Sequence, residues 1–226
     1  MKKILLNTAM IGIFLLSTAV NAAGYGQSLC HSSGYHCQKV QRGQSWNNLF
    51  PDTEQRTIVK KANRMNTPLH SGMVIAVPNN LGNMSVMDIA PFPHKIGSSG
   101  RTLVRVDLGK LAWGAYDTQG NLVNWGPVSG GRNYCPDIHH GCHTPHGNYT
   151  IFEKQGPGCI SHKFPLPHGG AHMPYCMHFH GGYALHGSAT VPGYNASHGC
   201  VRMYPEDAEW LNHNFVRVGS TRVTIQ

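Results

Sequence analysis

Seven cysteines constrain this chain more than any other feature: Cys30, Cys37, Cys135, Cys142, Cys159, Cys176 and Cys200. They follow a stretch that reads as a secretory leader. Met1-Lys2-Lys3 is basic, Ile4 to Val20 is largely apolar, and Val20 and Ala22 put small residues at a cleavage site. Residues 1–22 are therefore expected to be removed. The apolar run is too short for a membrane anchor and no second one follows, so no integral membrane segment is expected after removal. An exported chain meets an oxidising compartment, where thiols pair and an odd count leaves one over. Cys30 and Cys37 are close in sequence, as are Cys135 and Cys142, and Cys159 and Cys176 flank a loop rich in Gly, Pro and His. Those three pairs would leave Cys200 free. Connectivity stays open at this point, because six cysteines alone allow about 15 pairings.

Cys200 lies in the stretch most suggestive of chemistry, Tyr183 to Met203, YALHGSATVPGYNASHGCVRM. A free thiol titrates near ~8.5, and the thiolate is the nucleophile, so a neighbouring base is needed near neutral pH. His186 and His198 are the local candidates. Gly199 lets the backbone bend tightly, so that consecutive N–H groups can converge on one point.

The rest of the chain divides by pattern. Residues 23–35 are rich in Gly and Ser and are expected to be loose. Residues 36–78 read as strand, two short helices, strand. Ser45 is placed to cap the first helix and Asp52 or Thr53 the second, with Ile58, Val59 and Ala62 inward. Residues 79–99, with several Gly and Pro, are expected to be a linker. From residue 100 the pattern turns to strands: Leu103–Val106, Leu111–Tyr116 and Leu122–Val128, separated by turns, predict antiparallel hairpins. Residues 129–180 form a long region rich in Gly, Pro and His, of the kind that is functional or cross-linked. Tyr149–Phe152 is a strand candidate within it. Pro205 to Asn212 predicts a helix with Pro205 at its first position, and Arg222 to Ile225 a closing strand. There are no internal repeats.

The 36–78 unit resembles the LysM peptidoglycan-binding module. The resemblance rests on the strand with Val40, Arg42-Gly43-Gln44-Ser45, Asn63 and Asn66, Leu69 to Met73, and Ile75-Ala76-Val77-Pro78. It implies binding to N-acetylglucosamine-containing glycan. Residues 100–226 resemble the YkuD-type L,D-transpeptidase catalytic domain. The ordered motifs are Pro127-Val128-Ser129-Gly130-Gly131, Thr144 to Tyr149, Met173 to Met177, Tyr183 to Gly187, Ser197-His198-Gly199-Cys200-Val201-Arg202, and Gly219 to Val223. That resemblance implies a mainly β chain: a catalytic β-sandwich with a short helix behind a small βααβ domain.

It also implies roles. Cys200 becomes the nucleophile and His186 the general base, with the carbonyl of Gly187 or Ser188 holding the ring tautomer. The N–H groups of His198, Gly199 and Cys200 form the oxyanion site. Ser197 and Arg202 brace the loop or hold substrate, and Tyr175 lines the groove. No cofactor is implied. The implied reaction attacks a peptidoglycan stem peptide, releases D-alanine and passes the acyl group from Cys200 to an amine. The acceptor is a second stem or a lipoprotein lysine; water would make the protein an L,D-carboxypeptidase. A non-catalytic wall- or host-binding protein is the contrasting reading.

Composition narrows the remaining classes. The formal net charge is +8, but the basic residues are scattered and form no run, so nucleic acid is not an expected partner. An acidic polymer such as a cell wall suits the charge better, and a periplasmic or wall-associated location is expected. The histidines His139, His140, His143, His146, His168, His172, His178 and His180 invite a metal reading. None of their spacings matches a zinc motif, so no metal site is expected.

Overall fold

A computed structural model describes residues 24–226. The predicted leader lies outside those residues. The stretch expected to be loose contains a short helix, α1 (Tyr25–Leu29), because two ties fix it. The Cys30–Cys37 disulfide joins its end to strand β1 (Tyr35–Lys39), and Tyr25 N–H donates to the Gly193 carbonyl at 3.0 Å. Helices α2 (Trp46–Leu49) and α3 (Thr53–Ala62) follow, then strand β2 (Val74–Pro78). Ser45 caps α2 in a reciprocal box with Asn48, and the Asp52 carboxylate caps α3 by accepting from Gln55 N–H at 2.8 Å. β1 and β2 pair antiparallel from Tyr35↔Pro78 to Lys39↔Val74. Val40, Trp46, Phe50, Val59, Ile75 and Val77 fill the small core between them. The Trp46 indole is satisfied by the Thr67 carbonyl at 2.8 Å, which lets so large a polar-tipped ring be buried.

Residues 79–99 are a strap packed on the next unit. Two 3-10 turns, Leu81–Asn83 and Val86–Ile89, set Val86, Met87, Ile89, Phe92 and Ile96 against Tyr116, Leu122 and Trp125. Buried polar tips meet the strap's carbonyls: Trp125 Nε1–H reaches Val86 O at 2.8 Å, and Tyr116 O–H reaches Pro93 O at 2.9 Å.

The large unit begins with a meander of β3 (Leu103–Asp107), β4 (Ala112–Tyr116) and β5 (Leu122–Ser129). It continues with β6 (Gly147–Thr150), β7 (Glu153–Lys154), β8 (Met177–His180), β9 (Tyr183–Gly187), β10 (Val201–Met203), helix α4 (Pro205–Trp210), a π-helical turn (Leu211–Phe215) and β11 (Arg222–Ile225). The nine strands form one hydrogen-bonded series, β6-β11-β3-β4-β5-β10-β9-β8-β7. The expected two-sheet sandwich is thus replaced by a single sheet curled around one core. Val104, Trp113, Val128, Leu185, Met203 and Val223 from different strands meet there, with Ala208 and Leu211 of the α4 region. The pairing is also mixed rather than wholly antiparallel: β11 runs parallel to β3 and β10 parallel to β9. Both parallel neighbours arrive through long connections, which the hairpin pattern of the sequence does not reveal.

The two units share buried contacts. Lys61 Nζ donates to Asp207 Oδ1 at 3.0 Å and to Trp125 O at 2.9 Å. The Arg64 guanidinium lies over the Trp125 ring, and its Nε–H donates to Lys110 O at 3.0 Å. Asn66 clasps the 188–193 loop. Its Nδ2–H donates to Ser188 O and its Oδ1 accepts from Val191 N–H, each at 2.9 Å. Among the described residues no helix is long and apolar enough to cross a membrane.

Candidate active site

Strand alternation builds the site. Met177, Phe179, Leu185, Val201 and Met203 turn into the core. The residues between them, His178, Ala184, His186 and Arg202, therefore share the opposite face. The parallel register pairs Val201 with Leu185 and Arg202 with His186. Continued back by one residue, it sets Cys200 beside Ala184 on that face. Cys200 is the free cysteine among the described residues. The others form Cys30–Cys37, Cys135–Cys142 and Cys159–Cys176.

The His186 ring is buried and fixed. Its Nδ1 lies 2.9 Å from the Gly187 carbonyl, which can only accept, so Nδ1 carries the proton and Nε2 is left as the base. The Ser188 carbonyl is occupied by Asn66, so of the two orienting carbonyls only that of Gly187 meets the ring. Burial lowers the His186 pKa to about 4, and the nearby Arg202 and His178 charges push the same way against the Gly187 bond. Burial also raises the Cys200 thiol, partly countered by the Ala184 backbone N–H and the Arg202 charge. Both shifts favour a neutral thiol and a neutral imidazole at rest. The Sγ takes the Gly182 carbonyl as its partner, at 3.7 Å.

The turn before Cys200 requires glycine. Gly199 has φ +117°, and a Cβ there would lie 2.5 Å from Tyr183 Cε1. Thr144 Oγ1–H donates to Gly199 O at 2.8 Å and accepts from Gly131 N–H at 2.9 Å, tying the turn to the loop after β5. The expected oxyanion trio is altered: Gly199 N–H already donates to Ser197 Oγ at 3.0 Å. His198 commits its ring to partners outside the β9/β10 face. Its Nε2 lies 2.9 Å from Asp137 Oδ2, and the ring packs on Phe164 with centroids 4.6 Å apart.

Of the residues expected to brace the loop or line the groove, Ser197 and Tyr175 make contacts within the protein. Ser197 is buried; its hydroxyl donates to Cys200 O and its N–H to Gly130 O, so it braces the turn. Tyr175 points its hydroxyl to Glu209 at 2.8 Å and lies edge-on to His213, toward α4 rather than Cys200. Arg202 does share the face, with only long contacts to Thr190 O at 3.5 Å and Thr190 Oγ1 at 3.3 Å. The loop histidines do not gather into a metal cage. Among the described residues one trio brings ligand atoms within 4.8 Å, Cys135, Cys142 and His198, and its cysteines are joined as a disulfide.

Thr144, Asn66 and Arg132 were not singled out from the sequence. The first lies in the quoted Thr-Pro turn and the second in the LysM-like pattern, but their partners are distant in the chain. Arg132 was hidden among scattered basic residues, although it directly follows Gly130-Gly131.

Residues 101–225 match the YkuD family, described as the L,D-transpeptidase catalytic domain. No curated protein sequence matches the chain significantly. An L,D-transpeptidase structure from Xylanimonas cellulosilytica aligns with 84% of this chain and 98% of its own, at 23% identity and a TM-score of 0.56. An L,D-transpeptidase from Stackebrandtia nassauensis aligns with 61% of this chain and 60% of its own, at 21% identity and a TM-score of 0.46. The first of these likenesses is one of fold. The family match spans more than half of the sequence and includes the curled sheet, the Gly199 turn, His186 and Cys200: the chain belongs to the YkuD family of L,D-transpeptidase catalytic domains.

Proposed function

We propose that this protein is a cysteine-dependent L,D-transpeptidase acting on peptidoglycan stem peptides. The observation that carries the reading is the shared face of β9 and β10, where the free thiol Cys200 accompanies a buried imidazole whose only open nitrogen is Nε2. Because burial disfavours both charged forms, the proton moves as the new bond forms. His186 Nε2 takes the Cys200 proton while Sγ attacks the carbonyl of the third stem residue. The backbone N–H groups of His198 and Cys200 stabilise the oxyanion, since that of Gly199 is held by Ser197 Oγ. The C–N bond breaks, protonated His186 returns its proton to the departing D-alanine amine, and a thioester remains on Cys200. An acceptor amine attacks that thioester as His186 removes its proton. The thiolate leaves and is reprotonated, completing a 3-3 cross-link or a protein anchor. Water in place of the amine gives the carboxypeptidase outcome.

The amino-terminal unit, with its strand-helix-helix-strand order and antiparallel β1/β2 pair, supports a LysM-like role in holding the glycan strand. The leader and the substrate together support action in the periplasm or at the wall. Mass spectrometry of muropeptides after incubation with the protein tests the reading. The expected result is D-alanine release with new dimers, abolished in Cys200→Ala. Unchanged release in that variant would refute the nucleophile assignment.

A further inference from the structure

Among the described residues Arg202, whose charge acts on Cys200, and Arg132, whose charge acts on Arg202, lack an ion-pair partner. Arg202 lies two residues beyond Cys200 on the same strand face, about 6.6 Å along β10. Arg132 leaves the loop after β5, and its placement is built into the same ladder. Gly131 bridges Ser197 in parallel, Arg132 N–H donates to Ser197 O at 3.0 Å, and Cys142 N–H donates to Arg132 O at 3.1 Å. Its guanidinium grips one carbonyl, Ala196 O, with Nη2 at 2.8 Å and Nε at 3.2 Å. Ala196 N–H in turn donates to Ser129 Oγ at 3.0 Å, and Ser129 is the register partner of Arg202. The 194–197 segment that leads into the catalytic turn thus carries the Arg132 guanidinium and is tied to Ser129, the strand neighbour of Arg202, whose own side chain contacts Thr190.

Their donors are under-used. Arg132 has Nη1 free, and Arg202 has Nε and Nη2 free. The ion pairs among the described residues are Lys61–Asp207, Lys110–Asp107, His178–Glu153 and His198–Asp137, so neither arginine has a carboxylate within ion-pair distance. Asp137 feels the Arg132 charge but is held by the His198 ring. After burial, the Arg132 charge is the next cause lowering the Arg202 guanidinium pKa, as expected of two like charges kept close. An anion placed between them relieves that repulsion, and the free N–H groups offer the forked geometry that a carboxylate accepts.

We propose that Arg132 and Arg202 together form a subsite for the terminal carboxylate of the donor stem, on the residue that departs when Cys200 is acylated. This rests on the transpeptidase reading and deepens it. The departing residue is a single amino acid, so its carboxylate lies two bonds from the scissile nitrogen. With Sγ on the attacked carbonyl, that carboxylate falls within a few ångströms of the thiol, where the Arg202 charge already acts on Cys200. The pair therefore reads a chain end. A stem with one more residue would place a neutral amide between the arginines and leave both unpaired. Arg132 becomes a specificity-determining residue contributed by a loop far from the Ser-His-Gly-Cys motif.

Two donors separate the outcomes: a disaccharide tetrapeptide with a free terminal carboxylate, and the same compound with a terminal carboxamide. The readout is the rate of Cys200 acylation, followed by intact mass. The wild-type protein is expected to prefer the free carboxylate by at least about tenfold, the size of one lost charge-assisted contact. Arg132→Gln and Arg202→Gln are each expected to collapse that ratio toward unity, and Arg132→Lys to keep part of it. Equal rates for the two donors in the wild-type protein, or an unchanged ratio in both Gln variants, overturns the subsite and leaves the transpeptidase reading standing. Acylation by neither donor overturns both. The wild-type comparison does not depend on any variant folding.

Discussion

Replacing Lys61 with methionine removes the one cation that meets the Asp207 carboxylate. Both side chains are buried, at 8% and 7% side-chain exposure, and the contact joins residues 146 positions apart. Removing one partner of a buried pair costs about 3–5 kcal/mol, because the remaining charge has neither water nor counter-ion. The Trp125 carbonyl loses its Lys61 donor as well. At roughly 2–4 °C per kcal/mol for a chain of this size, Lys61→Met is expected to lower Tm by about 6–20 °C. The loss depends on pH in a defined direction. Burial raises the Asp207 carboxyl above its ordinary value, with Lys61 opposing. The folded chain therefore keeps the Asp207 proton to a higher pH than the unfolded chain. Its contribution is most favourable below the unfolded value of about 3.9 and declines as pH climbs through the folded one. Without Lys61 that folded value rises further, so the penalty is full near neutrality and shrinks toward pH 4. Urea unfolding with the disulfides intact, at pH 4.5 and pH 7.5, measures it. The double variant Lys61→Met/Asp207→Leu is expected to recover most of the loss, since an apolar pair needs no compensation. A loss under ~1 kcal/mol, or a double variant as unstable as the single one, would refute the reasoning.

His186 is held at about 4, so kcat/KM is expected to show no acid limb near the ordinary histidine value of about 6.5. A limb between pH 6 and 7 that vanishes in a His186 variant counts against the buried neutral base. The same depressed value gives a stability contribution of about 3 kcal/mol that is present above pH 6.5 and lost as pH falls toward 4, measurable by unfolding across that window. Gly199→Ala drives a Cβ into Tyr183 at a positive φ and is expected to cut Cys200 acylation by about 100-fold, the scale of an ångström-sized misplacement. Acylation at the wild-type rate would show that the turn is not held as described.

Local chemistry made much of the fold readable. The helix starts at Ser45 and Asp52 follow from side chains that satisfy the first free N–H groups, and β11 coincides with Arg222–Ile225 because an alternating apolar run after Gly219 has little else to become. That Cys200 and His186 fall on one face was legible for a similar reason, since both belong to an ordered set of motifs. Long-range pairing was not. Lys61 reads as an ordinary cation in the last turn of a helix, where solvent exposure is the common fate, and nothing nearby announces Asp207. The curled sheet joins β3 to β11 and β9 to β10, so its parallel pairings depend on which distant strands meet. Residue type cannot show direction, so it leaves Ser197 between bracing the loop and holding substrate, and sets Tyr175 in the groove. One hydroxyl turns to Cys200 O and the other to Glu209.

The strap of residues 79–99 separates inheritance from mechanics. The family match starts at residue 101, yet a chain cut there would bare Tyr116, Leu122 and Trp125 where Val86, Phe92 and Ile96 now cover them. It would also strip the 188–193 loop of its Asn66 clasp and leave Thr190, the contact of Arg202, on an unsupported segment. The start of the family match is thus expected to be a poor place to divide this protein. Excision at residue 100 is expected to yield an aggregation-prone fragment, whereas a chain that keeps the strap and Asn66 retains these contacts.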